Sequence, residues 1–353
     1  VRIVVDVAPL SHPRTGVGNY IRGSLLGLAE VGGHELVAFS PASARGKRQI
    51  EAALEGVAVE RRLPRVPAAH LLRTAWSKLA APAVERTLGA LDVYHFSDWW
   101  YAPQRGGLRS TMIHDLVPLH HPEWVHARTL RMHAAKYEHA SKTADVVIVN
   151  SQFTADDVVR TLGIPPARVH VAYPGIDPAF VPFGERRELG RPYLLTVATL
   201  EPRKNLETLV EAYGLVTDLD VALVVVGAAG WGEQPALERD GIIRLGYTPP
   251  GELAALYRGA AAVVYPSRYE GFGMPIVEAM ACGAPVVASA HPSLDEAAGD
   301  AALRAVPDDA LAIAAAIRTA LEGSTTLVER GSAHAARFSW TANARAHLAA
   351  WSR

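Results

Sequence analysis

Cysteine is nearly absent from this chain. Cys282 stands alone among 353 residues, so neither a disulfide framework nor a cysteine-rich metal site can be assembled. Net charge is nearly absent as well, at −1, which removes the usual electrostatic reason to expect a nucleic-acid partner. Long apolar runs are missing too. The strand-like runs stop at about eight residues, against the ~20 that a membrane-spanning helix needs. With no signal-like N-terminus, a reducing, cytoplasmic setting is the expectation, and any membrane contact would be peripheral.

What is present is a globular composition, 49% apolar and 20% charged, over a length that suits two domains better than one. Charge is unevenly spread: residues 1–175 hold 20 Lys+Arg against 15 Asp+Glu, a net of +5, and eleven of the 14 histidines. Short β-branched runs alternate with longer Ala/Leu-rich amphipathic runs, the pattern of βαβ units and parallel sheets. In the first half the predicted strands are Arg2–Val7, Glu35–Phe39, Asp92–Phe96, Thr111–His114, Asp145–Asn150 and Val169–Ala172. The second half repeats the pattern at Tyr193–Val197, Val221–Gly227, Ile242–Gly246, Ala261–Pro266, Pro285–Ser289 and Ala301–Arg304. The expected architecture is two facing, doubly wound Rossmann-like domains. The first covers 1–174, a linker 175–190, the second 191–336, and a final segment 337–353 carries the helix Trp340–Trp351. Ligands in such sheets bind beyond the carboxyl ends of the strands.

The most informative string is Glu270-Gly271-Phe272-Gly273-Met274-Pro275-Ile276-Val277-Glu278. It follows a strand, and Pro275 suits the first turn of a helix. A loop ending at a helix N-terminus is a ready site for a phosphate or polarised sugar, and Gly271 and Gly273 let the backbone come close to a ligand. Glu270 and Glu278 can both accept hydrogen bonds from vicinal hydroxyls, one from a sugar and the other from a ribose; the plain alternative is a loop with a dipole-complementing Glu.

This string, with seven residues between the two glutamates and Ala279-Met280-Ala281-Cys282-Gly283 after them, resembles the retaining family 4 glycosyltransferases of the GT-B fold. The resemblance runs in family order through Thr15-Gly16-Val17-Gly18-Asn19-Tyr20, Ile113-His114-Asp115-Leu116, Pro174-Gly175-Ile176-Asp177 and Glu201-Pro202-Arg203-Lys204-Asn205. It implies a donor set of Gly16, Arg203, Lys204, Glu270, Gly271, Phe272, Gly273, Met274 and Glu278. In this resemblance His114, Glu270, Arg203 and Lys204 are the residues expected to carry the chemistry. A C-terminal helix returning to the first domain is also implied, as is retention of anomeric configuration.

Arg203 and Lys204 follow the strand Tyr193–Val197, and two adjacent cations can neutralise a diphosphate leaving group, the work a bound Mg²⁺ does elsewhere. No cofactor and no metal are therefore expected. Asp218-Leu219-Asp220, the one Asp-X-Asp string, precedes a strand at the end opposite the ligand cleft. Gly16 and Gly18 lack the third glycine of a dinucleotide loop, since position 21 is Ile21, and by themselves suit a bare turn or a ligand loop; the resemblance implies the ligand loop, with Gly16 near the transferred sugar and the diphosphate. Among the histidines His114, taken alone, suits core packing, but its strand-end position and the resemblance favour a contact with the donor sugar or the acceptor hydroxyl, while His120, His121, His126, His133 and His139 read as surface or helix-face residues. Asp98, Trp99 and Trp100 follow another strand end and suit an acceptor sugar ring, or simply close a loop over the core.

Residues 61–80 hold five Lys+Arg (Arg61, Arg62, Arg65, Arg73 and Lys78) and no acid, with His70, Leu71, Leu72, Trp76 and Leu79 giving an amphipathic helix. That helix either packs on its own domain or docks an anionic or lipid-linked acceptor at a membrane face. The expected activity is hexose transfer from a nucleoside-diphosphate sugar, GDP-mannose by context, to a glycan, lipid-linked or small-molecule hydroxyl. The rivals are a nicotinamide-dependent dehydrogenase, a nucleotide-sugar epimerase or hydrolase, and a non-catalytic binding subunit.

Overall fold

The computed structural model describes residues 1–12, 16–69, 71–72, 75–76, 81–96, 101–228, 230, 237–323 and 325–352. The chain divides into two compact units. Unit 1 comprises Val1–Gly175 and Ser339–Arg353, and unit 2 comprises Ile176–Phe338. Helices of eight residues or more among the described residues are numbered here α1 to α10.

Unit 1 is built on a seven-stranded sheet in the order β3-β2-β1-β4-β5-β6-β7. Its strands are β1 (Arg2–Asp6), β2 (Glu35–Phe39), β3 (Glu60–Arg62), β4 (Val93–Phe96), β5 (Leu108–Ile113), β6 (Val146–Val149) and β7 (Val169–Val171). Every pairing is parallel. The helices are α1 (Gly16–Val31), α2 (Ala44–Ala53), α3 (Ala127–Thr143) and α4 (Gln152–Leu162), with α10 (Trp340–Trp351) arriving from the far end of the chain. Ser151 caps α4 by accepting the Thr154 N–H at 3.0 Å, and Gly163 ends that helix in the left-handed region at φ 65°, a residue type and conformation that suit each end. Strand β3 was not expected. Its Glu-Arg-Arg sequence has no apolar alternation because it is a short edge strand, paired only with β2.

α10 docks on α1 through a polar seam. Asn343 donates to the Tyr20 hydroxyl at 3.0 Å and to the carbonyls of Ala172 and Tyr173 at 3.2 and 2.7 Å, and Ser24 Oγ donates to Asn343 Oδ1 at 2.9 Å. A Cβ on Gly27 would lie 2.0 Å from the Trp340 carbonyl oxygen, and one on Gly23 as close to the Trp340 ring, so glycine is what lets the two helices meet.

Unit 2 carries a six-stranded parallel sheet in the order β10-β9-β8-β11-β12-β13. Its strands are β8 (Tyr193–Val197), β9 (Ala222–Val226), β10 (Ile242–Leu245), β11 (Ala262–Tyr265), β12 (Val286–Ser289) and β13 (Leu303–Ala305). Its helices are α5 (Leu206–Gly214), α6 (Pro250–Gly259), α7 (Met274–Ala281), α8 (Ala310–Leu321) and α9 (Thr325–Ala335). Strands buried on both faces are apolar throughout rather than alternating: in β9, Val224 enters one core cluster and Val225 the other. The stretch 175–190, expected as a linker, is from Ile176 onward part of this unit. Phe180 is buried in its core, and the Arg187 N–H donates to the Ala255 carbonyl at 2.9 Å.

Candidate active site

In unit 2 the strand order reverses between β8 and β11, the crevice where an open parallel sheet holds its ligand. The loop after β8 delivers Arg203 and Lys204; the loop after β11 delivers Glu270. Residues 66 and 67 apart in sequence thereby meet. Arg203 Nη1 lies 2.5 Å from Glu270 Oε2, and Lys204 Nζ lies 2.6 Å from Glu270 Oε1. The Tyr265 hydroxyl adds a donor to Glu270 Oε1 at 2.9 Å, and Glu201 takes a second contact from Arg203 at 3.0 Å. Burial by itself would raise the Glu270 carboxyl; the Arg203 and Lys204 charges overrule it and hold the group at about 2. Burial, then the Arg203 charge, lowers the Lys204 ammonium, against the pull of Glu270. The pair is charge-compensated, as buried ions must be.

The backbone beneath these groups is fixed from several sides. Pro202–Lys204 is a single 3₁₀ turn with Lys204 buried. It ends at Asn205, a non-glycine residue at φ 56°, a strained conformation for which Asn is among the better choices. Asn205 Nδ2 holds it there by donating to the Pro266 carbonyl at 3.1 Å, and Asn205 Oδ1 accepts from Thr208 Oγ1 at 2.7 Å. The Arg268 N–H donates to the Arg203 carbonyl at 2.9 Å. Glu270 is held likewise, its N–H donating to Ser293 Oγ at 3.0 Å.

Downstream, Gly273 forms the N-cap of α7 at φ 102°, where a Cβ would lie 2.7 Å from the Leu294 side chain. Pro275 occupies the first turn, as its sequence position suggests. Glu278, one turn further, is buried and accepts the Tyr257 hydroxyl at 3.1 Å. No cation is among the influences on it: burial pushes its carboxyl up to about 7, the Tyr257 hydrogen bond opposes this, and Asp177 adds to it. Two glutamates in one loop and helix are thus held in opposite electrostatic states.

In unit 1, Gly16 is the first residue of α1, with nothing within 4 Å of where a Cβ would sit. β5 ends at Ile113, so His114 lies just beyond the strand rather than in it. Its ring meets Tyr20 edge-on at a centroid distance of 5.3 Å. Burial, followed by the Lys136 and His133 charges, lowers its pKa to about 3, so the ring is neutral at physiological pH. Asp98, Trp99 and Trp100 lie outside the described residues. Of the segment 61–80, Arg61 and Arg62 belong to edge strand β3 rather than to a helix. Trp76 is turned inward and stacks on Phe39 at 6.2 Å, while Arg73 and Lys78 lie outside the described residues. Among the described residues no group of three or more His, Cys, Asp or Glu could hold a metal ion, and Asp218 is ion-paired with Arg318 at 2.6 Å. No single helix among them is long and apolar enough to cross a membrane.

The family model for Glycosyltransferase Family 4 matches residues 14–180, and that for Glycosyl transferases group 1 matches residues 180–338. The O-antigen chain mannosyltransferase B of Escherichia coli is 31% identical over 96% of both chains. The chain belongs to the group 1, family 4 glycosyltransferases. The D-inositol 3-phosphate glycosyltransferase of Actinosynnema mirum is 32% identical over 74% of this chain and 72% of its own. The structure of Anabaena HepE in complex with UDP-glucose superposes with a TM-score of 0.74 over 100% of both chains at 18% identity, a likeness of fold. This glycosyltransferase therefore has the GT-B architecture of two parallel-sheet α/β domains and uses a nucleotide sugar.

Three contributors to the site escaped the sequence reading. Tyr265 stood within the predicted strand Ala261–Pro266 and was given no role of its own. Tyr257 sits on α6 with no motif around it. Ser293 lies after β12, and nothing local ties it to Glu270.

Proposed function

We propose that this glycosyltransferase moves mannose from GDP-mannose, with retention and without a metal ion, to a hydroxyl of a glycan, lipid-linked or small-molecule acceptor. The observation that carries the reading is the Arg203–Glu270–Lys204 cluster at the β8/β11 switch point. It presents two adjacent cations in a buried setting, where they stabilise developing negative charge far better than in water. The mannose assignment rests on the O-antigen chain mannosyltransferase, which is matched over nearly the full length of both chains.

In this reading the donor's diphosphate takes over part of the hydrogen bonding that Arg203 and Lys204 give Glu270 in the free protein. The released Glu270 carboxylate then accepts from sugar hydroxyls. The bond between the anomeric carbon and the diphosphate oxygen breaks, and the acceptor oxygen bonds to that carbon on the same face. The acceptor's proton passes to the departing phosphate oxygen. Arg203, Lys204 and the N-terminal end of α7 stabilise the leaving group, His114 contacts the sugar as a neutral ring, and Glu278 accepts the ribose hydroxyls.

Thermal-shift measurements with GDP-mannose, UDP-glucose, ADP-glucose and dTDP-glucose test the donor, since a ligand at 100 times its Kd stabilises by about 2.7 kcal/mol. GDP-mannose is expected to give the largest shift, and transfer to methyl α-mannoside is expected to survive EDTA. A larger shift with another donor overturns the mannose assignment. Activity lost to EDTA and restored by one divalent ion overturns the metal-free one.

A further inference from the structure

Against the Glu270 loop lies a second turn, built around His291. It follows β12, where the His291 side chain caps the 3₁₀ turn Pro292–Leu294. Its Nδ1 accepts the Ser293 N–H at 3.2 Å and lies 2.8 Å from Ser293 Oγ. The turn touches the Glu270 loop at both ends. At one, Ser293 Oγ accepts the Glu270 N–H at 3.0 Å. At the other, the Leu294 side chain lies 2.7 Å from where a Cβ on Gly273 would sit. Ser293 and Leu294 are both buried. The His291 ring also sits beside that of Tyr269, the residue before Glu270, at a centroid distance of 5.4 Å. Its backbone is anchored from β13, where Arg304 Nη2 donates to the Ser289 and His291 carbonyls at 2.8 and 3.2 Å and pairs with Asp295 at 2.9 Å.

The direction of each hydrogen bond follows from what each group can do. A backbone N–H only donates, so the Nδ1 that receives the Ser293 N–H carries a lone pair, and the imidazole is the neutral Nε2–H tautomer. The 2.8 Å contact is then the Ser293 hydroxyl donating to that same nitrogen. This turns the hydroxyl proton away from Glu270 and leaves an oxygen lone pair facing the Glu270 N–H. We propose that His291 is a positioning residue for sugar transfer, acting through Ser293 to fix the backbone from which Glu270 reaches the donor sugar. A serine bonded to a histidine is also the arrangement of an activated nucleophile. Here Ser293 Oγ is buried and bonded on both sides, so the pair supplies orientation instead. Orientation matters most at Glu270, the member of the cluster that changes partners. When the diphosphate draws Arg203 and Lys204 away, its carboxylate loses two anchors, and the hold on its backbone decides where it goes. A misplacement of about 1 Å at such a group costs up to about 100-fold in rate. The inference rests on the reading of Glu270 as the group that orients the transferred sugar.

Two amide substitutions separate this role from ordinary packing. His291→Asn places an acceptor near the position of Nδ1 and is itself a good N-cap, whereas His291→Gln carries the same amide one bond further out. Without ligand, amide exchange of residues 268–274 is followed by mass spectrometry in wild type, both His291 variants, Ser293→Ala and the His291→Gln/Ser293→Ala double variant. His291→Gln and Ser293→Ala are each expected to speed exchange of that loop by about tenfold, for one lost hydrogen bond. The double variant is expected to go no faster than the faster single one, since both act on one chain of bonds, and His291→Asn to stay close to wild type. Initial rates are measured with GDP-mannose and UDP-glucose as donors and methyl α-mannoside as acceptor. His291→Gln is expected to lower kcat by about tenfold and His291→Asn to retain most of it. The Kd of the matching free nucleotide, GDP or UDP, is expected to stay near the wild-type value in both, because Glu270 holds the sugar and not the nucleotide. Loop exchange unchanged in His291→Gln, equal losses in His291→Asn and His291→Gln, or a nucleotide Kd that weakens as much as kcat falls would each overturn the proposal. The last is what a general loosening of unit 2 would give. A wild type inert towards both donors refutes the donor reading instead. Loop exchange then decides on His291 alone, faster exchange in His291→Gln with wild-type exchange in His291→Asn upholding it and any other pattern refuting it.

Discussion

The two units share one strand order around the point where their sheets reverse, yet the carboxyl ends of those sheets are furnished in opposite ways. Unit 2 presents a matched set of charges, Glu270 between Arg203 and Lys204, with Tyr265 and Ser293 completing the shell. Unit 1 presents, just beyond β5 and β6, the neutral groups His114 and Asn150, each with a buried polar atom that has no hydrogen-bond partner. The difference follows from the cost of burial. An unpaired buried ion costs several kcal/mol or changes its protonation state, whereas an unpaired neutral polar atom costs about 1–3 kcal/mol. A binding site can therefore hold its charges ready only as a closed set that a ligand reopens, while its neutral contacts can simply wait.

The largest break in that comparison comes from removing a cation. Lys204→Ala leaves Glu270 buried with one cation, and breaking a buried pair costs about 3–5 kcal/mol. Urea unfolding is expected to show a loss in that range, and sugar transfer should fall by at least 100-fold. Lys204→Arg, which keeps the charge, is expected to retain more stability than activity, because the larger fork does not fit the same position.

Glu278 sharpens the contrast through pH. Its folded pKa of about 7 lies above the reference value of 4.5, so between these values the folded state binds the proton that the unfolded state has released. Stability from this group is present below about pH 4.5 and is lost as pH rises through 7. At pH 8 the wild type pays about 3 kcal/mol for the buried carboxylate. Glu278→Gln is accordingly expected to be more stable than wild type at pH 8, with the gap narrowing towards pH 5. The same titration bears on ligand binding, because ribose hydroxyls donate to a carboxylate better than to a carboxylic acid. Donor affinity should weaken by up to about tenfold from pH 8 to pH 6, and Glu278→Gln should remove that dependence while weakening binding at pH 8. Glu270 runs the other way. Held at about 2, it contributes stability that is complete above about pH 4.5 and is lost only as the pH falls through 2.

A smaller effect is expected where α10 docks on α1 within unit 1. Asn343→Ala leaves the Ala172 and Tyr173 carbonyls and the Ser24 hydroxyl short of a partner, at about 1–3 kcal/mol. Hydrogen exchange should speed in Trp340–Trp351 before it does in the sheet. The smallest effect belongs to Asp218. Its pair with Arg318 is on the surface, so Asp218→Ala should change stability by less than about 1 kcal/mol and leave transfer unchanged. A large fall in activity would reopen the metal reading of Asp218-Leu219-Asp220.

The sheets were legible in advance because parallel strands buried on both faces advertise themselves as short β-branched runs. All twelve of the expected strands are present within a few residues, and the edge strand Glu60–Arg62 was missed because edges need no apolar pattern. The loop from Glu270 to Glu278 was equally legible, since glycine spacing and a proline in the first helical turn are local requirements of the backbone. So were Arg203 and Lys204 as cations at a strand end.

What the sequence by itself determined is which residue types stand at the carboxyl ends of the strands. Only the tertiary structure decided their state. Glu270 is ionised because strand order brings it against cations 66 and 67 residues away, and Glu278 is raised because Tyr257 and the core close over it without a cation. His114 is neutral and unmatched because β5 lies beside β6 under α1. Protonation and hydrogen-bond satisfaction depend on burial and on neighbours in space, and neither is a property of any local stretch of chain.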